Sequence, residues 1–280
     1  MPARTVTPLR PRTIDKRLQR PRSFYLRWAT SFLRGLPDFI VIGEMKCATS
    51  SLFSALGDHP AINPPIRKET HFFTKGYHLG ESWYRAHFPR RRTAGSKIGE
   101  ATPDYLYASQ APARVKAMLP DAKFIVLLRD PVGRAISHYH HEVRMGRETL
   151  SIEQALAVED TRMSEAVGQA DEEETRLHAS YADRGRYGAS LQRWLAMFDA
   201  DRFLVLETKD FQESQQMVLN RVANFLGISP FEGRPPERRR NAGSYDTPPE
   251  SILSSLRDRL HVDDPLVTEM LGKRPSWRSK

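Results

Sequence analysis

The sequence predicts an α/β fold, an open parallel β-sheet flanked by helices on both faces. Short apolar runs rich in β-branched residues are typical of strands buried inside a parallel sheet. Segments with helical periodicity separate these runs along the chain, which is the order that parallel strands require. The 280 residues suffice for a full hydrophobic core.

Four runs have the length and composition of strands. They are "DFIVIG" (38–43), the start of "SKIGEATPDYLY" (96–107), "KFIVLL" (123–128) and "RFLVLE" (202–207). Helices are predicted over 49–56, over 110–119, from Pro131 onwards, over 188–198 and over 209–226. Asp130 can cap the helix that begins at Pro131, and Gly227 ends the last one.

Two further stretches depart from this alternation. Residues 159–174 contain seven acids and one arginine, so we expect a charged, solvated insertion. Residues 230–250, "PFEGRPPERRRNAGSYDTPPE", are predicted to form a long loop, and loops of this length often carry function.

The charge distribution divides the chain into a basic tail with a short amphipathic helix over 1–36 and a single domain over 37–280. Residues 1–34 hold nine Arg or Lys against Asp15, which gives +8 of the chain's net +9. The excess charge therefore belongs to the tail and gives no support for nucleic-acid binding by the body.

The tail leads into an aromatic helix. Phe24, Trp28, Phe32 and Leu36 recur every four residues and would share one helix face. This face either packs on the domain or rests on an anionic membrane, so 22–36 is a candidate peripheral membrane contact. The Arg-rich, acid-poor tail also resembles an organellar transit peptide, although serine is sparse.

The number of cysteines and the hydropathy of the chain indicate in which cellular compartment the protein is expected. The single cysteine, Cys47, excludes an intramolecular disulfide, so a reducing, cytoplasmic compartment is expected. No apolar run approaches the roughly 18 residues of a membrane span. A content of 39% hydrophobic and 28% charged residues is typical of a soluble globular protein.

"GEMKCATSSL" (43–52) has the features of a phosphate-binding turn. It lies between a predicted buried strand and a helix, where backbone N–H groups and the helix dipole favour an anion. Lys46 adds a positive charge, and hydroxyl groups follow at the helix start. Alternatively, these hydroxyls only cap the helix and Lys46 is solvated. The Gly-Lys-Ser/Thr ending of an NTP-binding loop is missing.

A second candidate phosphate site is "VLLRDPVGRAISHYHH" (126–141). Arg129 ends a predicted strand and Ser137 lies two turns into the next helix. Because ligands of open α/β sheets bind at the carboxyl ends of strands, the two segments can converge on a ligand with two separated phosphates. Alternatively, Arg129 forms an ion pair with Asp130 or Glu142.

These stretches resemble those of sulfotransferases that use 3′-phosphoadenosine 5′-phosphosulfate (PAPS). "IGEMKCATSSLFSAL" is similar to their 5′-phosphosulfate loop and "VLLRDPVGRAISHY" to their 3′-phosphate motif. "RKETHFF" (67–73) resembles the signature of the heparan sulfate and carbohydrate branch, and the likeness extends over 38–277. It implies a P-loop-like sulfotransferase fold, PAPS as co-substrate, adenosine 3′,5′-bisphosphate as product, and no metal.

The resemblance also implies residue roles. Lys46 would stabilise the departing phosphate, and Glu69 would accept the proton of the acceptor hydroxyl. His71 would assist this proton transfer or orient the acceptor. The implied nucleotide-binding residues are Lys46, Cys47, Ala48, Thr49, Ser50, Ser51, Arg129, Ser137, Tyr187, Arg239, Arg240 and Asn241.

The residues around Glu69 allow further expectations. In an extended segment, Glu69 and His71 would emerge on one face, and partial burial would raise the pKa of Glu69. Alternatively, Glu69 pairs with Lys68 or Arg67, and His71 is a satisfied, partly buried histidine. His138 and His141 in "HYHH" lie one turn apart without a further pair of ligands, so no metal site is expected.

The acceptor is expected to be a hydroxyl (or amino) group of a carbohydrate, with a lipid or small metabolite as the alternative. A sugar could stack on Tyr77, His78, Trp83 or Tyr84, and an anionic glycan could meet "PRRR" (89–92); alternatively, Trp83 is a core residue.

Ala101 stands where several heparan sulfate enzymes have a lysine. The paired C-terminal cysteines and membrane anchor of some relatives are not found, which suggests a soluble, bacterial-type member.

Two other classes remain as alternatives. A P-loop nucleotide kinase would share the strand–loop–helix architecture, but no clear magnesium-binding acid follows a predicted strand. A nonenzymatic basic binding protein would explain the tail, but not the two phosphate motifs.

Overall fold

The computed structural model describes residues 22–90, 94–169, 171–233, 248–260 and 264–279. These residues fall into two compact units. The larger unit contains the described residues of 17–129, 188–242 and 265–280, and the smaller unit contains those of 130–187 and 243–264. The sequence-based division at residue 36 into a tail and a single domain stays a prediction.

A five-stranded parallel sheet forms the centre of the larger unit. Its strands are β1 (Phe39–Gly43), β2 (Ile62–Asn63), β3 (Lys97–Ala101), β4 (Lys123–Leu128) and β5 (Phe203–Glu207). Their order in the sheet is β2-β3-β1-β4-β5, and every neighbouring pair is parallel. This confirms the predicted open parallel sheet.

Helices of the larger unit cover both faces of this sheet. They are α1 (Arg22–Ala29), α2 (Thr49–Leu56), α3 (Gly80–Arg85), α4 (Ala111–Met118), α9 (Tyr187–Leu195, from Gly188 onwards), α10 (Thr208–Glu213), α11 (Gln215–Leu226) and α13 (Pro265–Leu271). Phe39, Val41 and Ile125 pack in one cluster with residues of α2 and α11. On the opposite face, the ring of Phe124 lies 4.9 Å from that of Trp194 in α9.

The predicted helix over 209–226 is two helices. α10 ends at Glu213, and Ser214 has φ −143° and ψ 63°, which is not helical. Phe211 in α10 and Val218 in α11 nevertheless pack in the same core cluster. The apolar pattern continues through the break, so the pattern alone did not reveal it. Gly227 ends α11 with φ 68°, as predicted.

The smaller unit is helical among its described residues. It contains α5 (Pro131–Arg144), α6 (Ile152–Ala157), α7 (Glu159–Glu165), α8 (Glu172–Ala179) and α12 (Glu250–Leu260). The Asp130 side chain caps α5 by accepting from the backbone N–H groups of Val132 and Gly133, as predicted. Ile136 of α5 and Leu256 of α12 share its apolar core.

The expectation that 159–174 is a charged, solvated insertion is wrong for Glu159 and Arg162, whereas Asp160, Glu165 and Asp171 are exposed. Glu159 is fully buried and accepts hydrogen bonds from the backbone N–H groups of Ala182 and Asp183. Arg162 is 5% exposed and donates to Glu148 at 2.6 Å. The acidic composition indicated solvation because these partners lie outside the segment.

The N-terminal aromatic residues do not share one helix face. α1 ends at Ala29, and a short 3-10 helix follows over Ser31–Leu33. Phe24 is buried against Trp83 and His87, whereas Phe32 is 77% exposed. Among the described residues, no helix combines the length and apolar character needed to cross a bilayer. Contact of 22–36 with a membrane stays a prediction.

Candidate active site

The first candidate segment is the loop that joins β1 to α2. β1 ends at Gly43, where an added Cβ would lie 2.5 Å from the Cβ of Leu106, so only glycine fits. Lys46 and Ala48 have left-handed backbones, with φ of 69° and 62°. Such conformations are costly for residues other than glycine and cluster at functional sites.

Contacts from several elements hold this loop. The buried Glu44 side chain accepts from the backbone N–H of Met45 at 2.6 Å, and the Thr208 hydroxyl, just after β5, donates to the Cys47 carbonyl at 2.9 Å. α2 begins at Thr49, and its N-cap residue Ala48 has no side chain that can cap it. The first N–H groups of α2 therefore face the loop at the positive end of the helix.

Glu69 and His71 lie at the carboxyl edge of the sheet. The backbone N–H of Glu69 donates to the carbonyl of Ala101, the last residue of β3, at 3.0 Å. Ala101 pairs with Val41 of β1. Because β1 and β3 are adjacent and parallel, Glu69 and the loop after β1 lie at the same edge of the sheet.

The Glu69–His71 segment is not extended, contrary to the sequence-based expectation. Glu69 has φ 61° and His71 has φ 51°, and the His71 carbonyl starts a turn of π-helix over Phe72–Gly76. The side chains still approach each other. His71 Nε2 lies 3.7 Å from Glu69 Oε2, an ion pair rather than a hydrogen bond, and Lys68 Nζ lies 2.5 Å from Glu69 Oε1.

These contacts shift both pKa values. Burial by itself would raise the pKa of Glu69, but His71 and Lys68 lower that pKa to about 2. Burial would lower the pKa of His71, but Asp104 and Glu69 raise that pKa to about 9. We expected a raised pKa for Glu69, and this expectation is wrong, because the cationic neighbours lower the pKa by more than burial raises it. Around neutral pH the pair is carboxylate and imidazolium.

Glu100 holds this segment from β3. It is fully buried, and its carboxylate accepts hydrogen bonds from the hydroxyls of Thr70 (2.5 Å), Thr102 (2.9 Å), Tyr105 (2.9 Å) and Tyr84. Thr70 lies between the two left-handed residues Glu69 and His71. The bond from Thr70 to Glu100 therefore ties the segment to the sheet.

The structure corrects part of the expected acceptor surface. Tyr84 is fully buried and bonded to Glu100, and Trp83 is 4% exposed. Neither ring can stack on a sugar, so Trp83 is a core residue. Tyr77 is half-buried beneath Arg114, whose guanidinium carbon lies 4.9 Å from the ring centre, and His78 is exposed.

Several predicted nucleotide-binding residues stay predictions. Arg129 directly follows β4 in the larger unit, whereas Ser137 lies in α5 and Tyr187 opens α9 in the smaller unit. Arg239, Arg240 and Asn241 lie outside the described residues.

His138 is fully buried, and burial together with nearby Arg134 holds its pKa well below its usual range. The described residues include no group of side chains suited to hold a metal ion.

Sequence reasoning missed three residues of this site: Thr70, Glu100 and Asp104. Asp104 Oδ2 lies 3.0 Å from His71 Nδ1, although the two residues are 33 positions apart. Neither "KETHFF" nor "TPDY" indicates by itself that the two side chains approach each other. The one available signal was that Asp104 follows the end of β3, the strand beside the phosphate loop's strand, by three residues.

Comparisons with known proteins agree with this geometry. The family model of the sulfotransferase domain matches residues 36–241, more than half of the chain. Heparan sulfate glucosamine 3-O-sulfotransferase 3B1 of Mus musculus is 34% identical over 193 residues, 69% of this chain and 46% of the relative. Bifunctional heparan sulfate N-deacetylase/N-sulfotransferase 4 of Mus musculus is 30% identical over 202 residues, 70% of this chain and 23% of the relative. This chain thus spans less than half the length of these curated relatives.

A solved structure extends the likeness over the whole of a relative. The crystal structure of a sulfotransferase from Alicyclobacillus acidocaldarius superposes with a TM-score of 0.67 at 29% sequence identity, covering 87% of this chain and 99% of that one. The fold and the family match agree. The chain belongs to the sulfotransferase family.

Proposed function

We propose that the chain is a PAPS-dependent sulfotransferase that transfers a sulfuryl group to a hydroxyl (or amino) group of a carbohydrate. One observation carries the proposal beyond family membership. The strained loop with Lys46 follows β1, and Glu69 is bonded to the end of the neighbouring strand β3. The loop proposed to bind phosphate and the proposed carboxylate base therefore share one edge of the sheet.

The residues have distinct roles in the proposed reaction. The acceptor oxygen attacks the sulfur in line, an O–S bond forms, and the bond from sulfur to the bridging phosphate oxygen breaks. Glu69 takes the proton of the acceptor, and Lys46 stabilises the charge that develops on the leaving oxygen of adenosine 3′,5′-bisphosphate. The scheme needs positioning and electrostatics, and no step in it requires a metal.

The nucleotide site is proposed to extend beyond the loop. The loop over Cys47 and Ala48 would hold the 5′-phosphosulfate together with the hydroxyls of Thr49, Ser50 and Ser51, since the start of a helix favours anions. Arg129 and Ser137 are proposed to bind the 3′-phosphate. Tyr187, Arg239, Arg240 and Asn241 are further proposed nucleotide-binding residues.

A carbohydrate acceptor is supported by the heparan sulfate sulfotransferases to which the chain is similar. The alternative acceptors are a lipid or a small metabolite. Ala101, buried at the end of β3, leaves no lysine at the position where the family resemblance expects one. Lys46 would therefore act on the leaving group without that second lysine.

Two measurements test the proposal. PAPS or adenosine 3′,5′-bisphosphate should raise the melting temperature without magnesium, whereas ATP should not; stabilisation by magnesium-ATP alone would favour a nucleotide kinase. Labelled PAPS should then transfer its sulfuryl group to a desulfated heparan-type glycan. Transfer only to lipid or phenolic acceptors would contradict the assignment of a carbohydrate acceptor, while the assignment of PAPS-dependent sulfuryl transfer would stand.

A further inference from the structure

The His71 ring lies between two carboxylates. Nδ1 lies 3.0 Å from Asp104 Oδ2, and Nε2 lies 3.7 Å from Glu69 Oε2. The three side chains differ in exposure, with His71 at 12%, Asp104 at 13% and Glu69 at 36%. Asp104 is thus the more shielded partner, and it belongs neither to the "RKETHFF" segment nor to the phosphate loop.

Backbone contacts fix both ends of the His71–Asp104 contact. The His71 carbonyl accepts from the N–H groups of Lys75 and Gly76 at 2.8 and 3.0 Å. The turn that carries Asp104 is anchored to β1, since Thr102 and Leu106 donate their N–H groups to the carbonyls of Val41 and Ile42. The contact therefore joins two segments that backbone hydrogen bonds anchor. It is an ion pair and not a directed hydrogen bond, so the Asp104 charge restrains the ring by electrostatic attraction.

Other charged groups lie around this ring. Lys68 pairs with Glu69 on the same segment, and Glu100 of β3 is bonded to the neighbouring Thr70. From α4, Arg114 donates to the carbonyls of Phe73 and Thr74 at 2.8 and 2.9 Å. Asp104 is the carboxylate nearest to the ring, so its charge acts on His71 most directly.

We propose that Asp104 is a positioning residue that holds the His71 ring towards Glu69 and keeps it protonated, and thereby sets the pH above which Glu69 is an effective base. The proposal rests on the proposed function, in which Glu69 takes the acceptor's proton. While His71 is protonated, its positive charge keeps Glu69 ionised but weakens it as a base. When His71 loses the proton from Nε2, the proton affinity of Glu69 rises.

The sign of the pH dependence follows from the raised pKa of His71. The wild-type kcat/KM should rise with pH as His71 deprotonates near its pKa of about 9. Without the Asp104 charge, the protonated ring loses its nearest partner. The pKa of His71 should then fall by roughly one to three units, the usual effect of an opposite charge at this distance.

NMR titration of the His71 ring in the full-length protein tests the first half of the proposal without any assay of activity. The ring signals are assigned by their loss in His71→Asn. In Asp104→Asn, and in Asp104→Ala as a second variant, the titration midpoint should fall by roughly one to three pH units. Asp121→Asn is the matched control, since Asp121 is exposed before β4, and it should leave the midpoint unchanged. An unchanged midpoint in both Asp104 variants would overturn the proposal.

The pH profile of kcat/KM tests the second half. The rising limb should move to lower pH in Asp104→Asn by the same amount as the NMR midpoint, and it should not move in Asp121→Asn. A limb that stays in place while the NMR midpoint moves would overturn the role in transfer. If no variant transfers sulfuryl groups, the proposed function fails, and the NMR midpoint still decides whether Asp104 keeps His71 protonated.

Discussion

Removing the Thr70 hydroxyl tests whether the bond to Glu100 holds the proposed base in place. Thr70 is 4% exposed, and its Oγ1 donates to Glu100 Oε1 at 2.5 Å. Thr70→Val keeps the shape and removes this bond to Glu100, a buried carboxyl whose pKa burial raises, together with the bond that the Phe72 N–H donates to Thr70 Oγ1 at 3.3 Å. The loss of these bonds together costs about 1.5–3 kcal/mol. At roughly 2 °C per kcal/mol for a chain of this size, the melting temperature should fall by about 3–6 °C.

The same bond restrains an unfavourable backbone. Glu69 and His71 flank Thr70, and each has a left-handed backbone that costs roughly 1–3 kcal/mol. Without the hydroxyl, this segment can relax and move the Glu69 carboxylate. Because a displacement of about 1 Å can cost roughly 100-fold in rate, kcat should fall by roughly 10- to 100-fold.

Thr102→Val is the matched control. The Thr102 hydroxyl also donates to Glu100, at 2.9 Å, and is fully buried, but Thr102 lies outside the Glu69–His71 segment. Both variants should lose stability in thermal unfolding, and only Thr70→Val should lose most of kcat. Equal kcat in the two variants would refute the reasoning.

Two further predictions concern the nucleotide. Lys46→Ala should lower kcat by roughly 10²–10³-fold, as for the loss of one preorganised donor, in steady-state transfer assays; a value within twofold of wild type would exclude Lys46 from the mechanism. Arg129→Ala should weaken PAPS binding far more than binding of an analogue without the 3′-phosphate, measured by calorimetry. Equal losses for the two ligands would show that Arg129 only supports the fold.

Local sequence patterns were sufficient for much of the fold. β1 and, after its first residue Lys123, β4 are apolar runs buried on both faces, and α2 spans Thr49–Leu56 as predicted. The capping of α5 by Asp130 also follows from adjacent residues. Each of these features depends on residues that are close in the chain, so a single sequence carries the information.

The errors involve contacts between residues distant in the chain. Glu159 appeared solvated because its partners, the N–H groups of Ala182 and Asp183, are more than 20 positions away. The pKa of Glu69 was expected to rise because burial was considered without the charge of His71, which Asp104 helps to maintain. Burial and charge pairing act in opposite directions, and only the three-dimensional contacts decide which one dominates.

Glu69→Gln tests the central claim most directly, because it removes the base and keeps nearly the same shape. Calorimetry should give adenosine 3′,5′-bisphosphate binding close to wild type, while transfer from labelled PAPS should fall by roughly 10²–10⁴-fold. His71→Ala, measured in parallel, should lose less if histidine only orients the acceptor. An active Glu69→Gln enzyme beside an inactive His71→Ala enzyme would contradict the account and assign the base to His71.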